Sequence, residues 1–191
     1  MSTLVLEKLF VACADLDARP LFWTDGQRQR HGYEPAVADA VARYSGFRVE
    51  WKFLNWADFT PSLETRVVDA IWCGCAITPE RAQHVLFSQP YAVFNESVLV
   101  RAGASVTRPD DLLGQRVGAI AGSTNMALAT GWAGCELVAF DGQSNNVFVD
   151  MIEALRAGEI DAIVDDEPAF GGVLEDPAFK LAFTVATRNR W

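Results

Sequence analysis

Apolar positions along the chain fall into two rhythms. Short runs of strand length recur at residues 8–14, 47–53, 69–75, 116–122, 135–140, 160–166 and 180–187, among them "KLFVACA", "DAIWCGC" and "IDAIVDD". Between them the spacing becomes helical. In "YEPAVADAVARYSG", Val37, Ala40, Val41 and Tyr44 recur at intervals of three and four, and Gly46 is placed to stop the helix. Further helices are predicted over 57–66, 78–84, 108–113, 124–132, 144–157 and 167–175. Strands that alternate with helices predict a parallel-rich α/β architecture.

The two halves echo one another. "SLETRVVDAI" (62–71) and "ALRAGEIDAI" (154–163) share a helix ending, a short turn and then Val/Ile-Asp-Ala-Ile, with the same offset for Leu63/Leu155 and Asp69/Asp161. Residues 91–106 lie between the halves and lack a Gly/Ser/Pro run, so they are expected to be extended chain rather than a flexible linker. Two α/β lobes are therefore expected, residues 1–97 and 98–187. A cleft between them would sit beyond the carboxyl ends of the strands, where open α/β sheets bind ligands.

Composition narrows the partners. Half of the 191 residues are hydrophobic, enough for sizeable cores. The net charge is −9 and no basic cluster occurs, which argues against nucleic acid and anionic membrane. The longest apolar stretches are much shorter than a membrane span. Phe10-Val11-Ala12-Cys13 is similar to a lipoprotein cleavage box, but Glu7 and Lys8 interrupt the run and no basic segment precedes it, so it reads as a first strand and not as an export signal. The four cysteines form no C-x-x-C motif. Cys73 and Cys75, two apart, would share one side of a strand, and a disulfide across that spacing would be strained. They read as small, reduced, semi-buried thiols, with no metal and no cofactor expected.

Three places could hold a charged ligand. Thr78 fits a helix N-cap and Pro79 the first helical position, with Glu80 suited to the positive end; Arg81 opposes the dipole there, and a bound anion would offset that. The competing reading is a surface arginine paired to an acid. Ser123 and Thr124 follow a strand and a glycine turn, as an anion site or as plain capping. The run is neither a Walker A loop nor G-x-G-x-x-G, so nucleotide binding has little support. Asp165, Asp166 and Glu167 end a strand, where one acid could accept from an ammonium group or cap the next turn. One arginine, two helix starts and one acid complement a zwitterion such as an α-amino acid.

Five stretches carry a family resemblance: "GYEPAVADAVARYSG", "WADFTPSLETRVVDAI", "AITPERAQHVLFSQPY", "DDLLGQRVGAIAGST" and "EALRAGEIDAIVDDEPA". In this order they resemble the bacterial extracellular solute-binding proteins of family 3, which take up polar amino acids on the type II periplasmic binding protein fold. The resemblance implies two α/β lobes with a ligand cleft, the first lobe incomplete because the family's chain returns to it; residues 188–191 would begin that return. It implies Arg81 on the α-carboxylate, Ser123 and Thr124 as second-lobe carboxylate contacts, and Asp166 on the α-ammonium. Gly74 and Ala76 would contact the ligand around a strand end, Asp15 would supply an acid after the first strand, and Trp56 and Phe59 an apolar wall. Ala18 stands where the family often has an aromatic, and Cys73 and Cys75 where small residues are usual.

The implied function is non-enzymatic capture of an amino acid, polar or cationic, for an ABC transporter permease, in the periplasm or otherwise outside the cytoplasm. Two other readings stand beside it. One is a cyclohexadienyl-dehydratase-like enzyme with an acid such as Glu167 as general acid; the other is the sensing module of a larger receptor. An unfinished first lobe would leave an apolar face or sheet edge exposed, which predicts a homodimer through that lobe or a parent protein that covers it.

Overall fold

The computed structural model describes residues 7–14, 17–144 and 146–191. Along the chain run β1 (Lys8–Cys13), a small hairpin of β2 (Trp23–Thr24) and β3 (Arg30–His31), α1 (Tyr33–Ser45), β4 (Arg48–Phe53), α2 (Phe59–Glu64) and β5 (Ala70–Ile71). Then come β6 (Val93–Arg101), β7 (Arg116–Ile120), α3 (Thr124–Thr130), β8 (Glu136–Phe140), α4 (Val147–Ala157), β9 (Ala162–Asp166) and β10 (Phe179–Arg190). One sheet has the order β4-β1-β5 and is parallel throughout. The other has the order β10-β6-β9-β7-β8, with β6 antiparallel to both of its neighbours. Parallel neighbours need crossovers of a dozen or more residues, which is why helical segments separate them in sequence.

The larger sheet is covered on both faces. Val98, Val100, Val117, Ala119, Ala162 and Val164 pack with Ala129 of α3 on one side. Leu99 and Ile163, one step out of phase, pack with Met151 and Leu155 of α4 on the other. Burial of both faces accounts for the near-continuous apolar runs in sequence.

The internal echo is one structural device used twice. Asp69 accepts from the Phe10 N–H through Oδ2 (2.8 Å) and donates its own N–H to the Phe10 carbonyl (2.8 Å). Asp161 does the same to Arg116, at 3.0 and 2.8 Å. The Ala-Ile pair that follows then joins the same ladder, Ala70–Ile71 beside Val11–Ala12 and Ala162–Ile163 beside Val117–Gly118. Each aspartate thus fixes the register of an incoming parallel strand. In the second copy the side chain of Arg116, its own N–H and Arg101 hold the Asp161 carboxyl down at about 2.

Several elements differ from the sequence expectation. Residues 91–106 are not merely extended: Val93–Arg101 form a full member of the larger sheet, and the boundary expected at 97/98 falls inside it. Residues 188–190 still belong to β10. The strand expected over 69–75 is paired only at Ala70–Ile71. Helices expected at 78–84, 108–113 and 167–175 are single 3₁₀ turns, at Arg81–Gln83, at Pro109–Leu112, and at Glu167–Phe170 with Val173–Glu175. In α1 the buried face is Glu34, Pro35, Ala38 and Ala42. The stripe of Val37, Ala40, Val41 and Tyr44 turns outward, with Tyr44 almost fully exposed. Val37 and Val41 instead line an open apolar groove with Ile71, Trp72, Val85 and Phe87.

Candidate functional site

The carboxyl ends of the parallel strands of both sheets converge on one cavity of about 80 Å³. Ala14 follows β1, Leu54 to Trp56 follow β4, and Cys73 and Gly74 follow β5. Ser123 to Asn125 follow β7, Ser144 lies beyond β8, and Asp165 and Asp166 end β9. The walls are closed by apolar side chains, among them Leu21, Phe22, Phe148 and Trp191.

Arg81 stands at the cavity edge. Its Nη1 donates to the Ala76 carbonyl (3.0 Å) and its Nη2 to the Gly122 carbonyl beyond β7 (3.2 Å). The guanidinium carbon lies 5.4 Å from the centre of the Trp56 ring. These contacts occupy two of its five N–H donors. Among the described residues Arg81 has no salt bridge, so the reading of an arginine paired to an acid does not hold. The dipole argument does not hold either, because a single 3₁₀ turn has no macrodipole to oppose. Thr78 does behave as a cap, its Oγ1 accepting from the Arg81 N–H at 3.1 Å.

Asp166 faces the cavity from the end of β9 and is 9% exposed. Its carboxyl is pushed well up, first by burial and then by the charges of Asp165 and Glu96, while Asn125 and Arg81 oppose the rise. Thr124 and Asn125 line the same wall. Ser123 lines it too, but its hydroxyl is engaged as the N-cap of α3, donating to the Ile120 carbonyl (2.6 Å) and accepting from the Met126 N–H (3.0 Å). For Ser123 the capping reading is the one the geometry shows.

The remaining expected residues divide. Trp56 and Gly74 line the cavity. Phe59 is buried behind Trp56, ring centres 5.4 Å apart, and supports that wall without forming it. Ala76 serves Arg81 through its carbonyl and stands off the cavity. Asp15 lies outside the described residues. Ala18 is buried and lines the cavity where an aromatic was the alternative. Glu167, the candidate general acid, is exposed and outside the cavity.

Cys73 and Cys75 both line the open groove beside α1 and β5, but only Cys73 also reaches the cavity. Gly74 between them adopts φ +59° and turns the chain, so Cys73 is buried against the cavity and Cys75 is not one of its lining residues. Cys73 Sγ accepts from the Ala14 N–H at 3.3 Å, and burial together with Glu34 pushes its thiol up, which disfavours the reactive thiolate.

Three residues that carry the site were not singled out in sequence. Glu34 is fully buried, and its Oε1 accepts from the Gly74 N–H (2.8 Å) and the Tyr91 hydroxyl (2.7 Å), fixing the loop after β5. Asn125 follows the Ser-Thr pair that did draw notice. Trp191 is tied in by its N–H to the Ala92 carbonyl (3.0 Å), and its ring closes the cavity near Gly74.

Residues 10–132 match the model of the bacterial extracellular solute-binding proteins, family 3. The chain belongs to this family. It is 26% identical over 183 residues to a probable histidine-binding protein of Neisseria gonorrhoeae, covering 93% of this chain and 66% of that one. It is 25% identical over 169 residues to the arginine-binding extracellular protein ArtP of Bacillus subtilis, covering 86% of this chain and 64% of that one. The chain thus spans just under two thirds of these relatives' lengths. In fold it is similar to the holo form of ArgBP from T. maritima, with a TM-score of 0.85 and 26% identity over 97% of this chain and 80% of that one. The type II periplasmic binding protein fold expected from the motifs is the fold of this chain.

Proposed function

We propose that this solute-binding chain captures an L-α-amino acid in the cavity between its two sheets. The observation that supports it most is that Arg81 and Asp166 line one cavity: a guanidinium with free donors, and a buried carboxyl that forms no ion pair among the described residues. Arg81 would take the α-carboxylate as a fork. Asp166 would take the α-ammonium, assisted by Thr124 and Asn125. Closure is favoured because the ligand would touch both sheets, adding to the bridges that already cross the cleft, Arg81 to Gly122 and the Ala57 N–H to the Gly142 carbonyl (3.3 Å). The lobes would be residues 1–97 and 98–187, meeting within β6, with 188–191, the end of β10 and Trp191, leading back to the first.

In this reading the protein is a non-enzymatic receptor that hands its ligand to an ABC transporter permease outside the cytoplasm. The exposed position of Glu167 gives no support to its use as a general acid. The expectation of a polar or cationic side chain rests on Asp15 and the acidic balance, whereas the described wall at Leu21, Phe22, Leu54 and Phe148 is apolar, so the test carries both classes. A thermal-shift screen of the proteinogenic L-amino acids and L-cystine should find at least one that raises Tm. The gain is about 2.7 kcal/mol at roughly 100 times Kd. Matching compounds lacking either the amine or the carboxylate should have no effect. A screen in which no amino acid moves Tm would remove the reading.

The apolar groove beside α1 and β5 supports a further proposal, that two chains associate through the first sheet. Leu86 at its rim is fully exposed, and Val41 is exposed on α1. Light scattering at tens of micromolar should show a dimer, and Val41→Lys with Leu86→Lys should return it to a monomer. A monomer already in the unmodified chain would refute this association.

A further inference from the structure

The larger sheet buries a second carboxyl behind the proposed ammonium site. Glu96 on β6 stands directly opposite Asp166 on β9 in the antiparallel ladder. Directly opposed residues share a face with Cβ atoms about 5 Å apart. Glu96 is 1% exposed and Asp166 9% exposed. Glu96 Oε1 and Asp166 Oδ1 have no hydrogen-bond partner among the described residues, and neither does the Nδ2 of Asn125. Thr124, Thr187 and Asn189 surround the Glu96 carboxyl, and Thr124 also lines the cavity.

The charges around this pair are few. β9 adds a third acid, Asp165, whose Oδ1 accepts from the Asp166 N–H (2.7 Å). Arg81 is the one cation that acts on Asp166 among the described residues, and it reaches it without an ion pair. β10 contributes Thr187 and Asn189, and α3 contributes Thr124 and Asn125, all neutral. Two buried carboxylates this close, with no ion pair to either among the described residues, resist ionising together.

We propose that Glu96 is a positioning residue for amino-acid capture, carrying jointly with Asp166 one proton that is expelled when the ligand's ammonium group arrives. The inference rests on the reading of the cavity as an amino-acid site. The exchange balances: a protonated carboxyl and a free ammonium ion give a carboxylate–ammonium pair and one proton delivered to the solvent. The direction of titration agrees, since burial first and the neighbouring acids second raise Asp165 and Asp166, and burial raises Glu96. An ammonium ion in the site would lower them again. The sign follows by linkage. Ligand binding that releases a proton tightens as pH rises, between the ligand-bound and ligand-free titration of the cluster, by up to about tenfold per pH unit for one proton.

The test is titration calorimetry of the full chain between pH 5 and 8 with L-arginine, L-histidine, L-glutamine and L-leucine as separate probes, in buffers of different ionisation enthalpy. Wild type should bind at least one of them, release close to one proton per ligand, and gain about tenfold in affinity per pH unit over part of the range. Glu96→Gln should keep its affinity at pH 8 within about threefold and lose most of the pH slope. Glu167→Gln, exposed and outside the cavity lining, should retain the slope. Binding without proton release, or an unchanged slope in Glu96→Gln, overturns this inference and leaves the amino-acid site standing. Absence of binding by all four probes at every pH, together with a thermal-shift screen in which no amino acid raises Tm, overturns it along with that site. If Glu96→Gln does not fold, the proton count of wild type decides.

Discussion

Arg81→Ala leaves a folded protein that no longer holds its amino acid. In the folded chain the guanidinium makes two hydrogen bonds to carbonyls and a ring contact, is only half-buried, and pairs with no acid among the described residues. Its loss should therefore cost the fold no more than about 1 kcal/mol. Binding is different. A carboxylate enclosed in the cavity without a cation is a buried, unpaired charge, and truncating one partner of such a pair costs about 2–5 kcal/mol. The expected rise in Kd is about 100-fold or more. Arg81→Lys should recover only part of it, because an ammonium cannot reproduce the planar fork. Calorimetry with the amino acids found by thermal shift, beside circular dichroism, decides the matter. Undiminished affinity in a folded Arg81→Ala protein would take Arg81 out of the site.

Gly74→Ala should strike stability and the site together. The residue adopts φ +59°, where a side chain costs about 1–2 kcal/mol. A Cβ there would lie 3.0 and 3.1 Å from two atoms of the Trp191 ring, and forcing a packed ring aside costs about 1–3 kcal/mol. Trp191 has little room to yield, since its ring also packs edge-on against Phe94 at 4.5 Å. The Gly74 N–H is in turn the donor to buried Glu34, whose carboxyl then loses a partner. The two steric terms sum to a loss of about 2–5 kcal/mol, a fall in Tm on the order of 4–20 °C for a chain of this size. Thermal unfolding followed by tryptophan fluorescence measures it. A variant as stable as the parent would mean that the loop after β5 is free to rearrange.

Much of the fold was legible because it rests on local rhythm. The strand runs and the repeated Asp-Ala-Ile are short-range features, and the repeat proved to be a register device that each half applies to its own parallel strand. Legibility failed where length or partner decided. Single 3₁₀ turns stand where longer helices were expected, since pattern marks where a helix can start and not whether packing sustains it. The outward stripe of α1 misled for a related reason: the small Ala38 and Ala42 face inward, and the larger apolar residues line a groove.

The sequence by itself determined the family, the alternation of strands and helices, and the residues with the chemistry for a zwitterion, Arg81 and Asp166 among them. Each of these is written in residue type and spacing along a short stretch. Only the tertiary structure decided which of them meet. It placed Arg81 without an ion pair among the described residues and within reach of Gly122, spent the Ser123 hydroxyl on a cap, and set Phe59 behind Trp56. It also brought Glu34 to Gly74 across 40 positions of sequence and laid Glu96 opposite Asp166. Burial and charge pairing are properties of neighbours in space, and neighbours from different strands leave no mark in the local pattern of either one.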